Sequence, residues 1–575
     1  MPRLLAAAFF STLLAAITLT AQVRTRDDIV NVTYRSSFNI VEATIPEMQA
    51  ALESGRVTSR ELVLLSMTRI AQYEDLLNAT AYVSRTALDE ADARDQERAN
   101  GHVRGPLHGI PIALKDNIHT TNMPTTGGAL AFAGLVPPYE ATLTAKLKQA
   151  GAIIIAKTVL TELANWVAGA PNAMPGNYTA LFGYGQNPYD PRPDPRAGTN
   201  DGRPVMGVGG SSSGIGTAAS FWAANIGSET SGSILSPSNA NLLVGIKPTV
   251  GLISRYGVIP ITADQDTAGP MARTVTDAAL VLGAVVGPDP NDAATTVCTP
   301  PPGNDYSRFL RRAGLRGARI GVPRANFYRT AVRPDTGATV GGLGAPQLAL
   351  MEDAINILRN EGATVMDPAD IPSILDGTPA NNYLTFGICA GAPDARGLDA
   401  GCSIVLKYGF KRDFNAWLAS LGPGAPIRTL TELRNYNLAN RPRNAIRYDQ
   451  ARLDISDEMN VTTDQARYQA DRNRDLFISR THGIDEVIAR NNLDALIFPN
   501  ASGADIAARA GHPTVIVPLG FVPNTPAGLP ADFNPKDQPY GIGFTGTACT
   551  EGRLIELAYA FEQATKRRVP PASTP

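Results

Sequence analysis

The sequence predicts an α/β fold, a single large domain with a central mixed β-sheet covered by helices on both faces. Short apolar runs alternate along the chain with segments of helical periodicity, which is the pattern of strands connected by helices. These runs are apolar throughout, so both faces of the sheet must be covered. No linker is long or polar enough to divide the 575 residues into independent domains.

Two helices are predicted near the start of the chain. Ile45, Met48 and Leu52 recur at the spacing of one helical face. A second helix begins with a capping box, in which Thr58 caps the first turn and Glu61 reaches back to the cap. Helices therefore open the fold, before the first strand.

Six apolar runs predict strands of the sheet. The first two end at Lys115 and Lys157, and a helical pattern from Gln347 to Arg359 separates the third run from the fourth. The six runs cover residues 110–114, 152–156, 319–322, 363–366, 495–498 and 514–517. Their separation by helical segments is what indicates the α/β architecture.

The charge balance argues against one broad class of partner. Fifty-one Lys and Arg residues face 53 Asp and Glu residues, which leaves a formal net charge of −2. A chain this close to neutrality has no basic excess that would attract nucleic acid or an anionic membrane. We therefore expect no nucleic-acid partner.

The N-terminus resembles a targeting segment. Arg3 precedes an apolar run over residues 4–21, and Ala21 is followed by a plausible cleavage point. The sequence thus predicts a signal peptide at residues 1–21, a mature domain at residues 22–575 with its core at about 40–565, and a secreted or extracytoplasmic location. The run is long for a signal peptide, so an uncleaved membrane anchor is the alternative.

Asparagine and cysteine residues fit an exported glycoprotein. The four cysteines are an even number, compatible with disulfides in an oxidising compartment, and none of their spacings is that of a metal-binding pair. The pairing of the cysteines stays open at this stage. Asn-X-Ser/Thr sequons begin at Asn31, Asn78, Asn177, Asn460 and Asn500.

A glycine- and serine-rich segment over residues 207–216 admits several interpretations. It lacks the Lys-Ser/Thr that closes a phosphate-binding loop. It could be a plain turn between a strand and a helix. Gly210 to Gly214 also matches the nucleophile elbow of α/β-hydrolases, with Ser212 as nucleophile and His512 as its base. That last interpretation predicts an esterase.

A second glycine-serine turn, over residues 228–233, supports another interpretation. Ser233 lies 22 residues after Ser211, enough for one helix over about residues 215–225 and a return of the chain. The two turns can then face each other. A serine beside converging backbone N–H groups is what acyl transfer requires, a nucleophile next to an oxyanion hole.

Lys115 is the candidate base for such a serine. It ends an apolar run, where loss of hydration would lower its pKa and leave a neutral amine that can accept a proton. The alternative is a structural lysine that emerges from the strand and pairs with Asp116.

Four segments together resemble the amidase signature family, from about residue 40 to about residue 565. The ordered set is far more specific than any one of its motifs. The segments cover residues 105–117, residues 151–157, residues 209–214 continuing through 232–234 to 245–249, and residues 266–273.

The resemblance implies the amidase signature fold and a Ser-cis-Ser-Lys triad. Ser233 would be the nucleophile, Ser211 the bridging serine on a cis peptide bond after Gly210, and Lys115 the general base. It also implies a small-molecule or peptide amide as substrate, no obligate protein partner, and neither a metal nor an organic cofactor. Residues 228–234 look most like the peptide-amidase branch.

Further site residues are implied by the same resemblance. The oxyanion hole would consist of the backbone N–H groups of Thr230, Ser231, Gly232 and Ser233, and Gly210 and Ser212 would lie at the substrate. Two positions depart from the family pattern, because Ser231 stands where many members have glycine and Leu235 where many have arginine. The long loops at residues 172–209, 390–404 and 520–540 are expected to build the substrate pockets.

The function that follows is an amidase that hydrolyses a carboxamide C–N bond to a carboxylic acid and ammonia or an amine. One alternative is the A-type component of a glutamyl-tRNA amidotransferase, against which the N-terminal segment argues. The others are the esterase with Ser212 and His512, and a catalytically silent binding protein, which the intact Lys115, Ser211 and Ser233 disfavour.

Overall fold

The computed structural model describes residues 37–575, so the predicted signal peptide lies outside the described residues. These residues form a single α/β domain with a central mixed sheet. The strands of this sheet and of three two-stranded sheets are β1 (Thr80–Val83), β2 (Pro111–Lys115), β3 (Ile153–Thr158), β4 (Tyr178–Thr179), β5 (Gly183–Tyr184), β6 (Ala224–Glu229), β7 (Val244–Lys247), β8 (Thr267–Ala272), β9 (Arg319–Gly321), β10 (Thr330–Val332), β11 (Thr339–Gly341), β12 (Thr364–Met366), β13 (Gly387–Ile388), β14 (Cys402–Ser403), β15 (Ala495–Pro499), β16 (Thr514–Val522) and β17 (Gln538–Thr545).

The helices cover the sheet and build the outer parts of the domain. They are α1 (Ile45–Glu53), α2 (Ser59–Leu77), α3 (Ala87–Ala99), α4 (Thr142–Gln149), α5 (Ile215–Ala218), α6 (Leu235–Ala240), α7 (Val275–Val285), α8 (Ala345–Asn360), α9 (Pro372–Leu375), α10 (Val405–Ser420), α11 (Leu430–Ala439), α12 (Ala451–Asp457), α13 (Gln465–Leu476), α14 (Asp485–Asn491), α15 (Ala504–Ala510) and α16 (Glu551–Thr565), with a π-helix at Phe477–Ile484. Among residues 37–575 no helix combines the length and the apolar character needed to cross a bilayer.

The main sheet has 11 strands in the order β1-β3-β2-β6-β8-β7-β16-β17-β15-β9-β12. It is mixed, because β2 runs parallel to β3 and β6 while β8 runs antiparallel to β6 and β7. The β16–β17 hairpin comes late in the chain but lies between β7 and β15. Two halves of the sheet are thus joined by residues 514–545.

The predicted elements are largely confirmed. The six predicted strands appear as β2, β3, β9, β12, β15 and β16. Helix α2 carries the predicted capping box, since the Thr58 side chain accepts from the Glu61 N–H while the Glu61 carboxylate accepts from the Thr58 N–H. Helix α8 spans Ala345–Asn360, close to the predicted pattern.

The helix predicted over residues 215–225 is wrong in length. Helix α5 ends at Ala218, because Ser220 adopts a left-handed φ of 57° and Ala223 donates its N–H to the Pro111 carbonyl of the sheet. The indole ring of Trp222 packs directly against Gly216, where a Cβ would lie 2.2 Å from the ring. Tertiary packing therefore outweighs the local helical pattern.

Two predicted sequons serve the fold. Asn177 is fully buried and its side-chain amide donates to the Gly210 carbonyl at 2.9 Å. The Asn78 amide donates to the carbonyls of Phe182 and Tyr184 at 2.6 and 3.0 Å. Asn31 lies outside the described residues, and glycosylation of the exposed Asn460 and of Asn500 stays a prediction.

All four cysteines form disulfides. Cys298 pairs with Cys549 across 251 residues, and Cys389 pairs with Cys402 across 13 residues. In the chain-entropy description, a cross-link stabilises the fold by restricting the unfolded chain, and the effect grows with the length of the closed loop.

Removal of the long-range disulfide should therefore cost more stability than removal of the short-range one. We expect Cys298→Ser/Cys549→Ser to lower the free energy of unfolding by up to about 5 kcal/mol and Cys389→Ser/Cys402→Ser by up to about 3 kcal/mol. Urea unfolding followed by circular dichroism measures both values. The reverse ranking would contradict the chain-entropy explanation.

Candidate active site

Lys115, the last residue of β2, lies wholly buried beside two serines. Its Nζ donates to the Ser211 Oγ at 3.1 Å, to the Ser228 Oγ at 2.9 Å and to the Ser228 carbonyl at 3.2 Å. The next side chain along the strand, Asp116, forms its ion pair with Lys157, at 3.4 Å. The structural alternative for Lys115, pairing with Asp116, is therefore not observed.

The surroundings of Lys115 favour its neutral form. Burial lowers the pKa of Lys115 to about 7, although Asp266 and Glu229 act in the opposite direction because their negative charges favour the ammonium. Within residues 37–575 no carboxylate comes close enough to form an ion pair with Lys115. A substantial share of this lysine is thus uncharged at neutral pH and able to accept a proton.

The backbone around Ser211 corrects one prediction. Cis peptide bonds among residues 37–575 occur at Ala170–Pro171 and Asp367–Pro368, so the bond that enters Ser211 is trans, contrary to the predicted cis-serine. A cis bond before a non-proline residue costs about 2.5–4 kcal/mol. No such cost is incurred here, because the trans backbone already places the Ser211 Oγ against Lys115 and satisfies the Ser211 carbonyl, which accepts from the Thr161 N–H at 3.2 Å.

The second serine turn follows the end of β6. Gly232 adopts a φ of 85°, which favours glycine, and Ser233 is 9% exposed. In the described part of the chain, the N–H groups of Ser231, Gly232 and Ser233 donate to no other group, whereas those of Ile234 and Leu235 donate to the Glu229 carboxylate at 2.7 and 3.0 Å. Unused N–H groups beside a serine suit the binding of an oxyanion.

The two serine turns lie directly against each other. The Ser212 N–H donates to the Ser233 carbonyl at 3.2 Å, and a Cβ on Gly210 would lie 3.1 Å from the Ser233 Cα. Among residues 37–575 the Ser211 and Ser233 hydroxyls form no hydrogen bond with each other. The structure therefore joins Lys115 to Ser211 and places Ser211 beside the turn of Ser233.

Several residues that support these turns carry no distinctive sequence signal. The Ser228 Oγ accepts from both Lys115 and the Asn117 amide, each at 2.9 Å. Asp266 accepts from the Thr230 hydroxyl at 2.5 Å, and burial raises the pKa of Asp266 to about 7. Their roles depend on strands β6 and β8 being neighbours, which the one-dimensional pattern does not reveal.

The two departures from the family pattern both have structural partners. Ser231, where many members have glycine, adopts an ordinary negative φ and donates its hydroxyl to Asp505 at 3.1 Å. Leu235, where many have arginine, is buried against Ala504 and Ile516. The second turn is thus held by a polar contact on one side and by apolar packing on the other.

The Ser212 and His512 pair required by the esterase alternative is not formed. The Ser212 Oγ donates to the Ser228 carbonyl at 3.0 Å and accepts from the Ser228 N–H at 3.2 Å, so it bridges a backbone segment. The His512 Nε2 instead contacts the Asp485 carboxylate at 2.7 Å. Gly210 and Ser212 lie beside the two turns, but their contact with substrate stays a prediction.

We therefore expect His512→Ala to retain amide turnover within about threefold, because polar contacts away from the reacting groups contribute little to the barrier. Steady-state kinetics on an aryl amide measures this. A loss of kcat/KM of two orders of magnitude or more, a typical contribution of a general base, would instead support the histidine mechanism.

Comparison with known proteins decides the family. The family model described as Amidase matches residues 61–555. The chain belongs to the amidase family. It is an enzyme that acts on amide C–N bonds as a hydrolase, as its amidase relatives and structural neighbours indicate.

Three relatives illustrate the breadth of the amidase match. A probable amidase of Arabidopsis thaliana is 32% identical over 545 residues, covering 93% of this chain and 92% of the relative. The native peptide amidase from Stenotrophomonas maltophilia superposes with a TM-score of 0.75 at 33% identity, covering 93% and 99% of the two chains. The A-type component of the glutamyl-tRNA(Gln) amidotransferase of Synechococcus sp. (strain CC9311) is 31% identical, covering 90% and 96%.

The amidase fold and the peptide-amidase-like branch predicted from the sequence are thus confirmed. Amidases and an amidotransferase component both resemble this chain over nearly its full length, so overall likeness does not separate these two alternatives. Their separation requires the chemistry of the isolated chain.

Proposed function

We propose that this amidase hydrolyses a carboxamide through an acyl-enzyme on Ser233, with Ser211 as the bridging serine and Lys115 as the general base. The observation that carries the proposal is the buried Lys115 amine, with a pKa lowered to about 7, at 3.1 Å from the Ser211 hydroxyl. A buried lysine without a carboxylate partner is costly for the fold, so its presence beside two serine turns indicates catalysis.

The steps balance without a cofactor. The Ser233 oxygen attacks the amide carbonyl carbon as its proton passes to the Ser211 oxygen and the Ser211 proton passes to the neutral Lys115 amine. The carbonyl oxygen becomes an oxyanion held by backbone N–H groups from Thr230 to Ser233. The C–N bond then breaks, the proton returns through Ser211 to the leaving nitrogen, and water cleaves the ester by the same route.

The contact between Ser211 and Ser233 is assigned to the substrate complex. Catalytic hydrogen bonds in unliganded active sites are often long or misaligned and tighten once substrate is bound. The close backbone approach of the turns, with the Ser212 N–H bound to the Ser233 carbonyl at 3.2 Å, supports this assignment.

A fluorophosphonate that labels serine nucleophiles tests the proposal. After labelling and proteolysis, peptide mass spectrometry should find the adduct on Ser233 and not on Ser212. The purified single chain should also hydrolyse an aryl amide without added protein, which would exclude an obligate amidotransferase component. An adduct on Ser212, or activity that appears only with a partner chain, would overturn the proposal.

We also propose that the protein works outside the cytoplasm. The two disulfides support this location, because such bonds persist in oxidising compartments. Fractionation of expressing cells, with non-reducing electrophoresis of each fraction, should find the oxidised protein in an extracytoplasmic fraction. Recovery of reduced, active protein from the cytosol alone would contradict the proposed location.

A further inference from the structure

A cavity of about 320 Å³ lies beside the proposed active site. One of its walls includes Ser228, whose hydroxyl binds Lys115, and Thr230, which begins the second serine turn. Ala164 contributes to another wall from a left-handed turn, with φ of 57°, whose first residues contact the Ser211 backbone. The cavity is therefore adjacent to the reacting groups and is not a remote void.

Aromatic and aliphatic side chains form much of the remaining lining. The Tyr139 ring stacks on the Tyr256 ring with centroids 4.8 Å apart, and the Tyr139 hydroxyl is bound to Ser420 at 2.6 Å. The Trp417 indole N–H is also used, because it donates to the His119 Nε2 at 2.9 Å. Because their polar atoms have partners, these rings have mainly carbon surface left for a ligand.

The basic group and one acidic group on the cavity wall neutralise each other. Arg255 donates to both carboxylate oxygens of Asp292, at 2.8 and 2.6 Å, and to the Ala263 carbonyl. A bidentate pair of this kind leaves the guanidinium with little capacity for a further anion. A substrate carboxylate would therefore find no free cation at this wall.

The other two acidic groups are satisfied as well. Asp413 accepts from both Nε and Nη2 of Arg412, at 2.6 and 2.9 Å, and from the Ala263 N–H at 2.7 Å. Asp266 accepts from the Thr230 hydroxyl and from the N–H groups of Ile261 and Thr262, at 2.5, 2.8 and 3.0 Å. A substrate ammonium would therefore gain no unpaired carboxylate in the cavity.

We propose that this cavity, called here the aromatic pocket, binds an uncharged aromatic group of the amide substrate. An apolar cavity of about 150 Å³ is already large enough for benzene, so the pocket accommodates a substituted phenyl ring. The inference rests on the proposed function, since it assigns the pocket to the substrate of Ser233. The aromatic pocket is lined by Tyr139, Ala164, Tyr256, Ile259, Ile261 and Trp417.

Matched substrates test the class and the side of the scissile bond that enters the pocket. The pairs are 3-phenylpropanamide against propanamide for the acyl side, and N-benzylacetamide against N-methylacetamide for the amine side. Burial of a phenyl group supplies about a 10- to 100-fold gain, so we expect that increase in kcat/KM in at least one pair. The charged amides 4-aminobutanamide and succinamic acid should show no such gain over propanamide.

A filled pocket provides the matched variants. Ala416 is exposed on α10 and lines the pocket, whereas Ala419 is exposed on the same helix and does not. We expect Ala416→Trp to remove the phenyl-dependent gain and to leave turnover of propanamide unchanged. Ala419→Trp should preserve both. Equal loss with propanamide, or no loss with the phenyl amides, would overturn the assignment.

A binding measurement separates failure of this inference from failure of the proposed function. Calorimetric titration with 3-phenylpropan-1-ol requires no catalysis, and the Ala416→Trp variant should bind it at least tenfold more weakly than the native enzyme. Hydrolysis of small amides without any phenyl gain or alcohol binding would reject the aromatic pocket alone. Binding of the alcohol in an enzyme that hydrolyses no amide would reject the proposed function instead.

Discussion

Replacing Ser233 by alanine is expected to lower kcat/KM for every hydrolysed amide by about 10⁴-fold or more, because no acyl-enzyme can form without the hydroxyl. The backbone N–H groups of the second turn are retained in this variant, so substrate binding should change far less than turnover. Steady-state kinetics and a burst assay for acyl-enzyme formation measure the two effects separately.

Ser236 offers a matched control for this substitution. It lies on the same segment, three residues beyond Ser233, is partly exposed, and its hydroxyl forms no hydrogen bond within residues 37–575. Ser236→Ala should therefore retain activity within about twofold, as is usual for a surface substitution without partners. Full turnover by Ser233→Ala would remove Ser233 from the mechanism.

Replacing Lys115 by methionine should lower kcat/KM by about 10²- to 10⁴-fold, the typical contribution of a general base. Methionine fills a similar unbranched volume and brings no charge into the buried site, so the variant should fold. Lys115→Arg is the sharper test, because arginine retains the positive charge but cannot be deprotonated. Activity in the arginine variant would show that the lysine acts through its charge.

The pH profile carries the same assignment. Burial lowers the pKa of Lys115 to about 7, and the base works only when neutral. Protonation at lower pH removes the base, so kcat/KM of the native enzyme should fall below pH 7 and reach a plateau above it. The residual activity of Lys115→Met should lack this limb, whereas an unchanged profile would assign the ionisation to another group.

The sequence predicted the parts of the site that depend on local motifs. The run ending at Lys115 and the serine turns around Ser211 and Ser233 are adjacent in space, because β2 pairs with β6 in parallel and places the base beside the second turn. Strands β6 and β8 were not predicted, since glycine and polar residues interrupt their apolar character. Pairing with neighbours, which a linear pattern cannot express, decides those strands.

Other features required the three-dimensional arrangement. The predicted cis bond at Ser211 was taken from a family resemblance, and this chain forms the contact with Lys115 through a trans bond. The loops at residues 172–209, 390–404 and 520–540 contribute none of the residues that line the aromatic pocket. The pocket is built by segments near β8 and α10, which come together only when the whole domain is folded.

The position of the β16–β17 hairpin has a consequence for biogenesis. A ribosome that has completed residue 510 has already made the strands on both sides of the gap, yet β7 and β15 still present unpaired edges. Such edges are templates for intermolecular pairing, so a nascent or truncated chain is prone to aggregate until the hairpin inserts. The catalytic half of the sheet is therefore sealed by some of the last residues to be synthesised, and chaperones that guard exposed strand edges should matter most at that late stage.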